Sequence, residues 1–398
     1  MFEARFGGIQ GAGMARRSGR RPWVVLLAAT VMLLAIPNLA AGQVAPTPSC
    51  NVQFFSVTGF FRDLVPGTRG RSDRFGIPRP GQANRLQRYF DVAYHLPTGG
   101  CVTVTNVRVD LLNRDGVLLQ TVTNSPPGAA GVSVVNDYTY RVRVTFGDGV
   151  TSSINSIPPP TDRIRYRITL TGRDDLGQVL TAVRDSNVYY PLWRMPDGLP
   201  RFGSRSVGGD DWASQSTYNW LASNRALVTR INDISGEHAR NIGHRTHYEG
   251  RDIDLYHVYT FPGVNAAAAG SGGANYAALV RNTNLALMGD PAARRLVADW
   301  ASQTRARFDQ FIANADLQGR IIYALGSSQP ETLDPQGQVV TPQLGRGWAR
   351  VLLEAGAYTN LRGQRVDLGI GAWTNPSIAT RMLYADDHND HIHLSVRP

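Results

Sequence analysis

The stretch DHNDHIHLSV, residues 387–396, holds three of the eight histidines of this 398-residue chain. Successive side chains of a β-strand point to opposite faces of the sheet. His391 and His393 would therefore share one face, while the apolar residues that alternate with them share the other. The pattern predicts a strand that packs its apolar face on a core and presents two imidazoles on its polar face.

A second stretch, GHRTHYEGRDIDL (residues 243–255), has the complementary pattern. Asp252 and Asp254 fall on one face of a predicted strand, with apolar residues behind them, and His247 precedes a turn at Gly250. Pairing of the two strands would bring imidazoles and a carboxylate to one point. Catalytic zinc takes three such protein ligands and leaves the fourth position to water. Nitrogen and oxygen ligands also suit an exported protein, because they are not oxidised as thiolates are.

The rest of the second half mixes helices with strands. Residues 211–231 have a helical apolar pattern, and Asp290 followed by Pro291 is typical of a helix start, with the helix running toward residue 315. Strands are expected at residues 252–261, 320–325 and 391–396, and a long loop at 327–345. The sequence thus predicts an α+β domain over residues 210–398, preceded by a Pro- and Gly-rich linker over 191–209.

The first half consists of short alternating segments separated by turn signals. In TYRVRVTF (residues 139–146), apolar and polar residues alternate with the period of two that is typical of a half-buried strand. FGDG and SIPPPTD, at residues 146–149 and 156–162, mark turns. Residues 43–190 are therefore predicted to form an antiparallel β-sandwich of immunoglobulin-like type, which makes the chain multidomain. Such a fold implies no activity by itself.

The first 42 residues have the pattern of a secretory signal peptide. Four arginines between residues 16 and 21 precede an apolar run at 23–34, and small residues follow at 40–42. The alternative is an uncleaved transmembrane anchor, but the run is short for a span of about 20 residues, and Pro37 and Asn38 interrupt it. Either reading places the remainder outside the cytoplasm. We expect a periplasmic or extracellular protein with no stable membrane span after cleavage.

Cysteine usage and charge agree with export. Cys50 and Cys101 are the only two cysteines, and in an oxidising compartment they are expected to form one structural disulfide. A metal site built from these two alone would lack ligands. Without residues 1–42 the net charge falls from +10 to +6, which favours anionic cell-envelope polymers as partners. The sequence has no run of basic residues interleaved with aromatic ones, so nothing in it suggests binding to nucleic acid.

The histidines also have less specific interpretations. His95, His238 and His257 are expected to be surface residues or hydrogen-bonded core groups. A structural metal site without catalysis is an alternative for the cluster. In such a site the protein would supply all four metal ligands, which would be His244, His247, His388 and His391.

Two motifs together resemble a known family. Residues 247–254 match the H-x-x-G-x-x-x-D motif of the zinc peptidases that cut bacterial cell-wall peptides, a group that includes D,D-carboxypeptidases and penicillin-insensitive murein endopeptidases. The Glu-x-Trp-His motif of the carboxypeptidases is absent. The ending is similar to the His-x-x-His-x-His of the murein endopeptidases, at His388, His391 and His393, and His244 matches the histidine three residues before the first ligand. The resemblance covers residues 210–398.

The resemblance implies a ligand set and a reaction. His247, Asp254 and His393 would bind Zn²⁺, His391 would act as general base or stabilise an oxyanion, and His244 and His388 would line the cleft. Three acidic residues are candidates to accept the outer N–H of a site imidazole, namely Asp252, Asp387 and Asp390.

The activity implied is that of an exported zinc metallopeptidase, which would use a metal-bound water to hydrolyse amide bonds in peptidoglycan cross-links or similar short peptides. Thr246 stands where the family usually has serine, and the segment from Asp254 to His388 is longer than in the murein enzymes, which bears on substrate specificity. The alternative is a cell-surface binding protein whose metal site is structural or degenerate. Phosphoester hydrolysis is disfavoured, because it often uses two metals and more carboxylates.

Overall fold

In the computed structural model, the described residues are 56–60, 74–77, 88–95, 102–144, 163–201, 209–244, 246–256, 258–268 and 270–398. Within them, residues 56–60, 88 and 95 are described by backbone alone. The predicted signal peptide and both cysteines of the predicted disulfide lie outside the described residues. Residues Cys50–Pro398 form one compact unit.

Within its described residues, the first half contains ten strands, and eight of them form two four-stranded antiparallel sheets. The first has the order β1-β3-β7-β6 and the second β5-β4-β8-β9. The strands are β1 (Ser56–Phe60), β2 (Arg74–Ile77), β3 (Arg88–His95), β4 (Thr103–Asn113), β5 (Leu118–Ser125), β6 (Val132–Asn136), β7 (Thr139–Val144), β8 (Ile164–Arg173), β9 (Val179–Asp185) and β10 (Tyr190–Arg194).

The two sheets share one hydrophobic core. Phe90 and Val142 from the first sheet and Val109 and Ile168 from the second belong to the same buried cluster. Along β7, alternate residues are buried, as the period of two predicts. This part of the chain is therefore an antiparallel β-sandwich, and the protein as a whole is rich in antiparallel sheet with few helices.

A third, small sheet links the sandwich to the second half. β10 pairs in parallel with β2 and antiparallel with β11 (Trp212–Ala213). Residues 191–194, at the start of the predicted linker, therefore form a strand. Its three central residues are all buried, which explains why no alternation marks it in the sequence. The domain boundaries at 190 and 210 stay a prediction.

The second half contains five helices within the described residues. They are α1 (Gln215–Ser223), α2 (Ser271–Leu287), α3 (Pro291–Ala313), α4 (Trp348–Ala355) and α5 (Ile378–Arg381). Its strands after β11 are β12 (Asp252–Tyr256), β13 (Leu317–Ala324), β14 (Thr332–Leu333), β15 (Val339–Thr341), β16 (Ala357–Thr359), β17 (Arg365–Asp367), β18 (Met382–Ala385) and β19 (His391–Val396). Short 3-10 helices span Glu237–Ala239 and Asp386–His388.

A four-stranded sheet of order β12-β19-β13-β18 forms the centre of this half. β19 is antiparallel to both of its neighbours, and β18 is parallel to β13. Ile253 and Leu394, on one face of the sheet, are in the same buried cluster as Leu279 of α2 and Trp300 of α3. Because the helices cover that face, the opposite face carries the polar side chains of β12 and β19.

Some predicted elements are confirmed and others are corrected. β19 has the predicted bounds, and α3 begins at Pro291, where Asp290 accepts hydrogen bonds from two backbone N–H groups of the first turn. The helix predicted over 211–231 is shorter, because Ser214 caps it and it ends at Ser223. The predicted long loop at 327–345 contains the hairpin β14–β15. Helix α2 was not predicted, because its start lies in an Ala- and Gly-rich stretch.

Candidate metal centre

The pairing of β12 with β19 brings the two histidine-bearing stretches together. Asp254 is directly opposite His393, and Tyr256 is opposite His391. Residues directly opposite each other in an antiparallel pair have side chains on the same face. His393 Nδ1 consequently lies 3.0 Å from Asp254 Oδ1, although 139 positions separate the two residues in the chain.

Asp254 lies at the centre of the cluster and is fully buried. Its Oδ2 atom is 3.3 Å from His247 Nε2, 3.7 Å from His244 Nδ1 and 3.9 Å from His391 Nε2. Among the residues that the structure describes, Oδ2 has no hydrogen-bond partner. A buried carboxylate oxygen is rarely left in this state, and three imidazole nitrogens around it are suited to share a cation with it.

Three of these side chains satisfy the spacing of a metal site. The ligand atoms of His244, His247 and Asp254 all lie within 4.8 Å of one another. This group can bind a metal ion. It shares His247 and Asp254 with the predicted ligand set, and it contains His244 where that set has His393. Several divalent metals accept imidazole and carboxylate ligands, so the geometry does not identify the metal.

Each site histidine has a second contact that orients its ring. His247 Nδ1 lies 2.9 Å from the carbonyl oxygen of Ile234, which leaves Nε2 to face Asp254. The three predicted acidic partners all face an imidazole nitrogen: Asp387 that of His388 at 2.7 Å, Asp390 that of His391 at 2.8 Å, and Asp252 that of His393 at 3.4 Å. Such outer contacts fix the tautomer and the ring orientation of metal-site histidines.

Two further contacts were missed by the sequence analysis. Asp233 is fully buried, and its Oδ2 lies 3.0 Å from His244 Nε2. The sequence offers a signal for it, since Asp233 stands next to Ile234 in NDIS (residues 232–235), and an aspartate beside apolar residues is rarely buried unless it has a partner. The Ile234 carbonyl carried no signal, because every residue has a backbone carbonyl.

The charges of the cluster shift the pKa values of its members. Burial raises the pKa of Asp254, but its contacts with His247 and His393 outweigh burial and hold that pKa well below its usual value. Burial lowers the pKa of His393, but its contacts with Asp252 and Asp254 outweigh burial and raise that pKa to about 9. The pKa of His391 is also raised, because Asp390 and Asp254 outweigh burial. Burial lowers the pKa of His388 despite its bond to Asp387.

All six predicted site residues line one cleft of about 610 Å³. Its walls are formed by Gly243, His244, Thr246, His247, Asp254, Ile322, Asp387, His388, His391 and His393. A cleft of this size falls in the range of small-molecule sites. The same cavity that holds the candidate metal ligands is thus open to a substrate.

The remaining histidines do not contribute to this cleft among the described residues. His238 is fully buried, and its Nδ1 accepts a hydrogen bond of 2.8 Å from the backbone N–H of Gly76. It is therefore a hydrogen-bonded core group, as predicted. The side chain of His95 and the whole of His257 lie outside the described residues.

Comparison with known proteins does not assign the chain to a family. Protein-family models gave no match, and curated proteins gave none. Among solved structures, one of murine CRIg aligns with 34% of this chain and 99% of that chain, at 12% sequence identity and a TM-score of 0.17. At this level the likeness defines neither fold nor function. No helix in the described part of the chain is long and apolar enough to cross a membrane.

Proposed function

We propose that this protein is an exported zinc metallopeptidase that hydrolyses amide bonds in peptidoglycan cross-links or similar short peptides. One observation carries the proposal: Asp254 lies against both His393 and His247, which come from distant parts of the chain, and all three line an open cleft. The motif resemblance of residues 247–254 and 388–393 to murein endopeptidases supports the reaction type. The N-terminal signal pattern supports a periplasmic or extracellular location.

The residues present fit a zinc ion. His247, Asp254 and His393 would hold it, and the Asp254 Oδ2 atom, which is buried without a hydrogen-bond partner among the described residues, has the surroundings of a metal ligand. When bound, zinc supplies a Lewis acid that polarises the scissile carbonyl and makes attack by water feasible at neutral pH.

His391 is the candidate general base. Its Nδ1 faces Asp390, so the hydrogen on that nitrogen is held and Nε2 faces the cleft near Asp254. The contact with Asp390 increases the basicity of the ring, and an imidazole titrates in the range that suits proton transfer near neutral pH. His391 would therefore take a proton from the attacking water and later deliver it to the leaving amine.

His388 would contact the substrate, and His244 would line the cleft next to the metal. His388 lies beside His391, with 4.5 Å between ring centroids, and its lowered pKa keeps it neutral at pH 7. A neutral imidazole can form a hydrogen bond with a peptide group without burying a charge.

We also propose that the sandwich is immunoglobulin-like and that residues 210–398 form a zinc peptidase-like domain.

The test is mass spectrometry of murein fragments together with metal analysis of the purified chain. The wild-type protein should contain about one zinc per chain, release cleaved cross-links and lose activity with a chelator. His391→Ala should keep zinc and lose cleavage, while Asp115→Ala, at an exposed loop position of the sandwich, should keep both. Intact murein with zinc-loaded wild-type protein would rule out the proposal.

The alternative is a cell-surface binding protein with a structural metal site. One observation favours it: His244 lies close enough to join His247 and Asp254, so with His393 four protein ligands are at hand. Four protein ligands are typical of closed structural zinc sites. X-ray absorption spectroscopy separates the two functions, because a catalytic site has three protein ligands and one solvent oxygen.

A further inference from the structure

The contact between Asp233 and His244 determines which nitrogen of His244 faces the candidate metal centre. Nε2 lies 3.0 Å from Asp233 Oδ2, and Nδ1 lies 3.7 Å from Asp254 Oδ2. Asp233 is fully buried, whereas His244 is partly exposed at the cleft. An ionised carboxylate only accepts hydrogen bonds, so Nε2 must carry the hydrogen in this contact.

Asp233 is itself held rigidly. Its backbone carbonyl accepts the N–H of Asp254 at 2.8 Å, and the N–H of Asn232 donates to the Asp254 carbonyl at 2.7 Å. The Asn232 side chain also donates to Asp233 Oδ2 at 2.8 Å. The backbone of residues 230–233 thus runs along the edge of β12 opposite β19, and Asp233 is bonded to the same residue that lies at the centre of the site.

We propose that Asp233 is a positioning residue, which holds the His244 ring with its Nε2–H toward the protein and its Nδ1 lone pair toward Asp254. The inference deepens the proposed function, on whose metal site it rests. A neutral imidazole binds a metal through the nitrogen without hydrogen, and a carboxylate on the other nitrogen selects that tautomer and increases the basicity of the ring. Asp233 therefore keeps the Nδ1 lone pair of His244 directed at the metal centre, where the ring adds to zinc binding, instead of leaving it to rotate in the cleft.

A structural role for Asp233 makes a different prediction. If its carboxylate served only the fold, replacing it would weaken the protein equally with or without the His244 ring. If it acts through His244, its effect disappears once that ring is removed. A double-mutant cycle separates the two, because residues that act as one unit have non-additive effects.

The experiment measures Zn²⁺ affinity of the full chain by competition with a chromophoric chelator. Asp233→Ala should bind zinc about 10–100-fold more weakly than wild type. In a His244→Ala background, the same substitution should change affinity by less than about threefold. Asp110→Ala is the matched control, because Asp110 is also a buried, hydrogen-bonded aspartate but belongs to the sandwich, and its affinity should equal that of wild type. An unchanged affinity in Asp233→Ala, or an equal loss in both backgrounds, would overturn the proposal.

A second measurement does not depend on zinc. Nitrogen-15 NMR of the zinc-free chain at a pH where His244 is neutral should show the Nε2–H tautomer in wild type and a mixture in Asp233→Ala. If wild-type protein binds no zinc, the proposed function fails while this tautomer still tests the role of Asp233. Should the alanine variant not fold, Asp233→Asn is the replacement, since its amide oxygen can still accept the Nε2–H. Loss of the Nε2–H tautomer in a folded Asp233→Asn chain would contradict positioning by hydrogen bond.

Discussion

At the scale of single residues, the contacts of His393 with two aspartates stabilise the protonated form of its imidazole. The pKa of His393 is raised to about 9 by Asp252 and Asp254, against the effect of burial, from an unfolded-state value near 6.5. A raised folded-state pKa stabilises the protein at pH values below the unfolded pKa, and this contribution is lost as the pH rises through the folded pKa. The pKa of Asp254 is lowered instead, so the contribution of this carboxylate to folding stability is lost only as the pH falls into the acid range.

The first prediction concerns the metal-free protein. Its free energy of unfolding should fall by something on the order of 3 kcal/mol as the pH rises from about 6.5 to beyond 9. Urea titrations in excess chelator measure this, and His393→Gln should flatten the curve over the same window. A stability that is constant or rising between neutral and mildly alkaline pH would contradict the assignment.

The second prediction separates the two histidines of β19. His393→Ala should lose bound zinc, because it removes a proposed ligand, whereas His391→Ala should keep about one zinc per chain and lose about 10²–10⁴-fold in turnover. Metal analysis and cleavage rates on the same preparations provide the measurement. If His391→Ala loses its zinc as fully as His393→Ala, then His391 is a ligand and the general base lies elsewhere.

At the scale of elements, the turn before β12 depends on a glycine. Gly250 has a φ of +68°, and a Cβ built there would lie 2.6 Å from both Leu192 Cδ2 and the backbone nitrogen of Ser214. Left-handed backbone is costly for residues other than glycine, and the contact leaves no room for a methyl group. The turn therefore positions His247 on one side and Asp254 on the other through close packing.

The third prediction follows from this turn. Gly250→Ala should lower the free energy of unfolding by about 2–4 kcal/mol, the sum of backbone strain and overpacking. Gly337→Ala is the matched control, because Gly337 has a φ of +79° but a Cβ added there would meet nothing within 4 Å, so only the strain of roughly 1 kcal/mol should remain. Equal effects in the two variants, measured by urea denaturation, would show that packing at Gly250 is unimportant.

The elements also show where sequence patterns suffice. β7 was predicted because one of its faces is buried and the other is not, and β19 because apolar residues alternate along it with polar residues. β10 is buried on both faces, so its sequence has no alternation, and the Ala- and Gly-rich start of α2 has no strong propensity signal. At the site, side-chain chemistry pointed to the six cleft residues, but the support from the Ile234 carbonyl depends on backbone placement that no residue type reveals.

At the scale of the whole molecule, one segment connects the sandwich to the metal centre. Phe75 of β2 belongs to the sandwich core, while the neighbouring Gly76 donates its N–H to His238. Four residues before His238, the Ile234 carbonyl orients His247. The segment from Ile234 to His238 is also bonded to the start of the second half, because the backbone N–H of Trp212 donates to the Ser235 carbonyl at 3.1 Å. The sandwich therefore supports the residues that orient the site.

The fourth prediction is that the sandwich and the metal centre unfold in one transition, so that a substitution at their junction destabilises both. His238→Ala would leave the Gly76 N–H buried without its acceptor and open a cavity beside Phe75, so it should lower the free energy of unfolding by about 3 kcal/mol. Calorimetry should show one transition in wild type and one, at lower temperature, in the variant. Because the segment that bears Ile234 loosens, zinc affinity should also fall several-fold, whereas Val134→Ala on the exposed edge strand β6 should change neither quantity. Two separate transitions, with His238→Ala shifting only one of them, would mean that the sandwich is an independent attachment to the metal centre.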